Sequence, residues 1–280
     1  MSRIRSSHPK RWPISPFVAG AAVLFFPFVA AGASGEDQAA GLIAAERAFA
    51  ADAGRIGITP AFRAHVAPDA ILIRPDPAPA LPVLAKEVDT PGLRLEWQPA
   101  IAAIARSGDL GFTTGPYRLT QKDKALYGRF LTIWERGADG KWRWYIDHGL
   151  PPVSDVPQEL APVAVTVLRQ GLPARGRPMP GAADADTALN AAIVARGTGA
   201  VVEHLAADGH LLRLDRGMVR TDQGIPVSGA ETLGIRASTA GDLAASYGRL
   251  SLTDGGQAHY YVRIWRRDRA GWRLLIDQIN

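Results

Sequence analysis

The chain is 280 residues long, carries 32 basic and 27 acidic residues and contains no cysteine. Without cysteine no disulfide can staple it, so each domain must be held by its own apolar core, for which a unit of roughly 100 residues suffices. Four of the bases, Arg3, Arg5, Lys10 and Arg11, fall in an acid-free start; setting them aside brings the net charge to about +1, which removes the electrostatic footprint of a nucleic-acid binder.

After that start an apolar run extends from Ile14 to Ala31, interrupted by Pro16, Gly20 and Pro27, and closes on the small residues Ala31-Gly32-Ala33. This layout predicts a signal peptide over 1–33, cleaved after Ala33, and a periplasmic or secreted mature protein with no stable membrane insertion. Leu42, Ala45, Phe49, Ala53 and Ile56 recur at helical spacing, predicting a helix over 37–57 and a short second one from Pro60 to Val66. The apolar runs then shorten and fill with β-branched and aromatic residues, predicting strands at Ala70 to Arg74, Leu93 to Arg106, Leu110 to Thr120, Tyr127 to Arg136 and Trp142 to His148. Ser107-Gly108-Asp109 and Gly137-Ala138-Asp139-Gly140 supply turns, so the last three strands should form an antiparallel meander. Pro151, Pro152, Pro157, Pro162, Pro173, Pro178 and Pro180 then mark a linker over 151–183, with one short edge strand suggested by the alternation of Val163, Val165 and Val167.

Comparing the chain with itself shows the same order of residues twice. Gly108-Asp109-Leu110 returns as Gly241-Asp242-Leu243, Ile133-Trp134 as Ile264-Trp265, and Trp142, Ile146 and Asp147 as Trp272, Ile276 and Asp277. Upstream, His65, Asp69, Arg74 and Asp76 align with His204, Asp208, Arg213 and Asp215. The difference in offset falls between Pro77 and Arg94, in what should be a surface loop or short helix. The expected organisation is two domains, 34–150 and 184–280, each α+β with helices first and a mainly antiparallel sheet after, packed on each other as an intrachain pseudo-dimer.

The run Pro68-Asp69-Ala70-Ile71-Leu72, then Glu96-Trp97-Gln98-Pro99, then Ser107 to Gly115, then Asp139-Gly140-Lys141-Trp142 into Ile146-Asp147 resembles the SnoaL-like branch of the nuclear transport factor 2-like superfamily. The resemblance covers 37–148; it is weaker in the second half, which lacks the Trp-x-Pro element and has Ala244-Ala245-Ser246 in place of Gly111-Phe112-Thr113. It implies a cone in which a curved sheet wraps around helices and leaves a pocket at its open end. It implies no single chemistry, since fold does not transfer function.

The candidate ligand-binding residues are Arg74, as an anchor for an acid or carbonyl, with Trp97, Tyr117, Tyr127, Trp144 and His148 as lining. Strand parity puts Trp142, Trp144, Ile146 and His148 on one face, which places His148 at the mouth of the pocket as the catalytic candidate, and puts Asp147 with Arg143 as a structural carboxylate. His65 with Asp69 and His204 with Asp208 stand four apart at a helix end, too few ligands for a zinc site, and no HExxH, phosphate loop or Gly-x-Ser-x-Gly elbow occurs. No cofactor is expected. Three readings stand: a binder of a small, mainly apolar organic ligand in the first domain; a cofactor-independent acid-base lyase or isomerase; and a structural or protein-interaction module with filled cones.

Overall fold

The computed structural model describes residues 35–150, 160, 164–174, 181–214 and 216–280; the expected leader and most of the expected linker lie outside them. The protein is α+β, with two curved mixed sheets. Helix α1 (Gly35–Ile56) buries Ala39, Leu42, Glu46, Phe49 and Ala53, a three-four spacing that keeps one stripe against the sheet. Helix α2 (Ile58–His65) leads directly into β1 (Val66–Ile73), followed by β2 (Pro77–Pro79) and the short helix α3 (Ala80–Lys86), in the segment where a loop or helix was expected. Then come β3 (Leu93–Trp97), β4 (Ile101–Ile104), β5 (Leu110–Gln121), β6 (Lys124–Arg136) and β7 (Trp142–Gly149).

The first sheet runs β2-β1-β7-β6-β5-β4, with β3 also on β5 and β8 (Thr166–Val167) parallel to β4 at its edge. The single strand expected over Leu93 to Arg106 is broken at Gln98-Pro99-Ala100. Proline has no N–H to donate, and the break is pressed against β5 so closely that a Cβ on Gly115 would lie 2.0 Å from the Gln98 carbonyl oxygen.

The second sheet follows helix α4 (Ala182–Arg196) and a 3₁₀ turn (Thr198–His204). Its strands are β9 (Leu205–Arg213), β10 (Gly217–Val219), β11 (Val227–Ala237), β12 (Leu243–Leu252), β13 (His259–Asp268) and β14 (Gly271–Ile279), in the order β10-β9-β14-β13-β12-β11. In each half the meander is antiparallel and its last strand pairs in parallel with the strand after the helices, β7 with β1 and β14 with β9.

Both last strands carry an extra residue. Trp134 pairs with Trp144 but Ile133 with Ile146, and Trp265 with Leu274 but Ile264 with Ile276, so Tyr145 and Leu275 are bulged. A bulge shifts the alternation of faces by one residue. This corrects the parity expected from sequence: Trp144 faces the helices, Tyr145 and Ile146 both face away from them, Asp147 returns to the helix side and His148 leaves it.

Three apolar clusters result. One joins α1, α2 and α3 to the inner face of the first sheet, around Phe49, Phe62, Trp134 and Trp144. One lies under α4 on the second sheet, around Leu189, Tyr261 and Trp265. The third draws Leu131, Ile133 and Ile146 from the first sheet and Val262, Ile264 and Ile276 from the second into one cluster. Among the described residues no helix is long and apolar enough to cross a membrane.

Candidate active site in the first half

The inner face of the first sheet leaves a cavity of about 330 Å³ between α2 and β1, β3, β5, β6 and β7. Its wall is mostly aliphatic and aromatic: Ile58 and Phe62 from α2, Leu93, Leu95 and Trp97 from β3, Tyr117 and Leu119 from β5, and Phe130 from β6. The polar side chains of the wall are Arg74 and Asp147. That size and composition fall in the range of small-molecule sites.

Asp147 is half-buried, and its Oδ2 accepts a hydrogen bond from Thr132 Oγ1 at 2.9 Å. Burial pushes its carboxyl up to about 6, against the opposing pull of the Thr132 hydroxyl and the Arg74 cation. Arg74 stands at the end of β1 with its side chain 47% exposed, 3.3 Å from Glu87 and with its guanidinium 5.4 Å from the Phe62 ring centre. It is the cationic group at the rim.

Behind the wall, Glu46 is fully buried. It accepts from Trp97 Nε1 at 2.5 Å, from Trp134 Nε1 at 2.9 Å and from the Thr113 hydroxyl. Burial pushes its carboxyl up to about 7, and the nearby Asp147 charge adds to the rise. Sequence reasoning missed this residue, although a carboxylate between Leu42 and Phe49 on the apolar stripe of α1 was the available signal. Glu46 fixes the Trp97 ring by its N–H, and Phe49 packs edge-on against the same ring with centres 4.9 Å apart.

Of the residues expected to line the pocket, Arg74, Trp97 and Tyr117 do so. Trp144 lies deeper, fully buried, its Nε1 donating to the Phe62 carbonyl at 3.1 Å. Tyr127 is half-buried and interacts with Arg118. His148 is on the opposite face of the sheet, buried, where its carbonyl accepts from Gln278 Nε2 at 3.5 Å. Burial pushes its imidazole down to about 4. The expected place of His148 at the pocket mouth is therefore corrected, and the bulge at Tyr145 is the reason: it turns Asp147 toward the cavity instead. His65 does not pair with Asp69 as its spacing allowed; it lies 2.9 Å from Asp52, while Asp69 pairs with Arg236 of the second half. Among the described residues no three metal-ligating side chains are grouped to hold an ion.

The second half places the same kinds of residue differently. Asp186 on α4 accepts from Ser246, Trp265 and Tyr261 much as Glu46 accepts from Thr113, Trp134 and Trp97. Where Thr132 lies opposite Asp147, Arg263 lies opposite Asp277. The Arg263 guanidinium is fully buried and bridges the two carboxylates, 2.8 Å from Asp277 and 3.0 Å from Asp186, with Arg213 adding a second ion pair to Asp277 at 2.8 Å.

No family model matches the chain, and no curated protein matches it. Solved structures do. An NTF-2 like protein of unknown function from Shewanella oneidensis MR-1 is 16% identical over 40% of this chain and 97% of its own, with a TM-score of 0.34. A protein from Catenulispora acidiphila in complex with S-DNPA is 17% identical over 39% of this chain and 92% of its own, with a TM-score of 0.32. A putative ketosteroid isomerase from Shewanella frigidimarina NCIMB 400 is 16% identical over 41% of this chain and 97% of its own, with a TM-score of 0.30.

Proposed function

We propose that this is an exported protein of two tandem SnoaL-like units, 34–150 and 184–280, whose first unit binds a small, mainly apolar organic molecule and whose second unit is its intrachain partner. The observation that carries the binding reading is the cavity itself: about 330 Å³, walled by aromatic and aliphatic side chains, with Asp147 and Arg74 as its polar side chains. The tandem reading is supported by the common strand order, the bulge at equivalent places in β7 and β14, and the apolar cluster shared by the two sheets. The reading of the second unit as a partner is supported by Arg263, which bridges Asp186 and Asp277 in its interior.

A second reading is favoured by one observation. Asp147 is a carboxylate in an apolar wall with its titration brought close to neutral, the condition for general acid-base catalysis. A lyase or isomerase of this kind would use Asp147 as its proton carrier, not His148.

Native mass spectrometry of the protein recovered from a periplasmic fraction tests the proposal directly. The expected result is a polypeptide beginning at Ser34 with a small molecule bound, and loss of that molecule in Trp97→Ala. Retention of residues 1–33 in a membrane fraction refutes cleavage after Ala33, and an unaltered retained molecule in Trp97→Ala refutes the site.

A further inference from the structure

The tryptophan, tyrosine and threonine donors around the cavity are already committed to the protein; the remaining side-chain donor of the wall is Arg74, whose Nη1 pairs with Glu87. Trp97 Nε1 gives its hydrogen to Glu46 at 2.5 Å, and the Tyr117 hydroxyl gives its own to the Leu150 carbonyl. Of the threonines behind the wall, Thr113 donates to Glu46, Thr114 to the Phe130 carbonyl, and Thr132 to Asp147 at 2.9 Å. Trp134 and Trp144 donate to Glu46 and to the Phe62 carbonyl at 2.9 and 3.1 Å. The aromatic wall therefore offers ring faces but no free side-chain hydrogen, and the cation of the wall, Arg74, is at the rim beside Glu87.

The balance of acceptors is the reverse. Asp147 lines the cavity, and only its Oδ2 has a hydrogen-bond partner among the described residues. A carboxylate oxygen facing an apolar space is satisfied only by a donor. Away from Arg74 at the rim, a ketone would find no hydrogen to accept from the aromatic wall, and a carboxylate beside Asp147 would meet its charge.

Resting on the reading of this cavity as a ligand site, we infer that the molecule it takes is neutral and largely apolar and carries a hydroxyl or N–H group that donates to Asp147, in preference to a carboxylate or a bare carbonyl. Trp97 and Tyr117 supply apolar contact to the body of such a molecule, and Asp147 fixes where its donor group lies.

The test uses a matched series on one apolar skeleton, 2-naphthol, 2-methoxynaphthalene and 2-naphthoate, titrated calorimetrically into the full mature chain at pH 7.5. A hydrogen bond to a charged acceptor corresponds to a preference of about ten-fold or more, so 2-naphthol should bind at least about ten-fold tighter than its methyl ether, with 2-naphthoate the weakest. Asp147→Asn keeps the shape of the wall and should narrow the preference, and Asp147→Ala should abolish it. Equal affinity of the alcohol and the ether for the unmodified chain, or tightest binding by 2-naphthoate, overturns the inference but leaves the cavity as a binding site. Failure of all three to bind, with melting curves showing a folded protein, overturns the site and the inference together.

Discussion

Asp109 and Asp242 each accept a hydrogen bond from a main-chain amide of the opposite half: Thr239 N–H donates to Asp109 Oδ2 at 2.9 Å, and Arg106 N–H donates to Asp242 Oδ2 at 3.1 Å. Each carboxylate occupies the same place in the repeated Gly-Asp-Leu motif, and each donor lies three residues before the aspartate of its own half. Contacts exchanged in this way are what the proposed intrachain pseudo-dimer would place between its two units. Also between the two halves, Arg236 pairs with Glu135 at 2.6 Å and stacks over Tyr145 at 4.4 Å, and Tyr260 donates to Asp76 at 2.5 Å.

From this reciprocity we expect unequal effects of the two aspartates. Asp242 is fully buried and also accepts from Ser238 Oγ at 3.0 Å, so Asp242→Ala should cost about 2 kcal/mol or more in urea unfolding. Asp109→Ala, in a more exposed place, should cost about 1 kcal/mol or less. Residues 34–150 expressed alone would bare the apolar cluster now shared with the second sheet and should self-associate or precipitate; a monomeric fragment as stable as the whole chain would refute the interface.

Gly128 sits against the ring of Tyr117, where a Cβ would come within 2.4 to 2.6 Å of its atoms. The Tyr117 hydroxyl is tethered to Leu150, so the ring has little room to retreat except into the cavity. Gly128→Ala should therefore lose about 1 to 3 kcal/mol of stability and reduce 2-naphthol affinity. Tyr117→Phe keeps the ring and should change that affinity little. Unchanged affinity in Gly128→Ala would argue against Tyr117 as part of the wall.

Arg263 neutralises two buried carboxylates, and removing one partner of a buried ion pair leaves an uncompensated charge. Arg263→Met should destabilise the protein by about 3 to 5 kcal/mol in denaturant titration. Probe binding at the first cavity should persist wherever the variant remains folded. A neutral effect would mean that Asp186 and Asp277 do not depend on this cation.

The pH dependence has two opposing parts. Burial raises Glu46 to about 7 and Asp147 to about 6 from their ordinary 4.5 and 3.8, so the folded state holds these protons more firmly than the unfolded chain. Their contribution is fully present below the unfolded values and is lost as pH rises through 6 to 7. His148 is depressed from 6.5 to about 4, so its contribution is present above 6.5 and lost as pH falls toward 4. Thermal melting should show stability declining above pH 6.5 in the parent and a shallower decline in Glu46→Gln. His148→Gln, which introduces the residue type found at Gln278, should raise the melting temperature near pH 5 relative to the parent and leave it nearly unchanged at pH 7.5. A parent curve that rises from pH 6.5 to 8 would contradict the assignment of Glu46.

Local patterns were enough to specify the α+β order of elements. The apolar stripe of α1 and the turn residues Gly108 and Gly140, both at positive φ, act over a few residues, and their effect on the backbone does not depend on what packs nearby. The recurrence of Gly-Asp-Leu and of Ile133-Trp134 as Ile264-Trp265 was legible for the same reason, as were Arg74, Trp97 and Tyr117 among the cavity residues. Which of Asp147 and His148 meets the cavity was decided elsewhere. It depends on one extra residue, Tyr145, between two cross-strand pairs, and a bulge is a property of how β7 registers against β6, not of β7 alone. The outward face of the same strand is likewise set by the second sheet, which buries Ile146 and His148 and so turns what would be solvent-facing positions into core. Glu46 and Arg263 belong to that class too: a charged residue on an apolar face is stable only when its partners arrive from distant strands, and those partners, Thr113, Trp97 and Trp134 for one and Asp186 and Asp277 for the other, are brought within reach only by the folded chain.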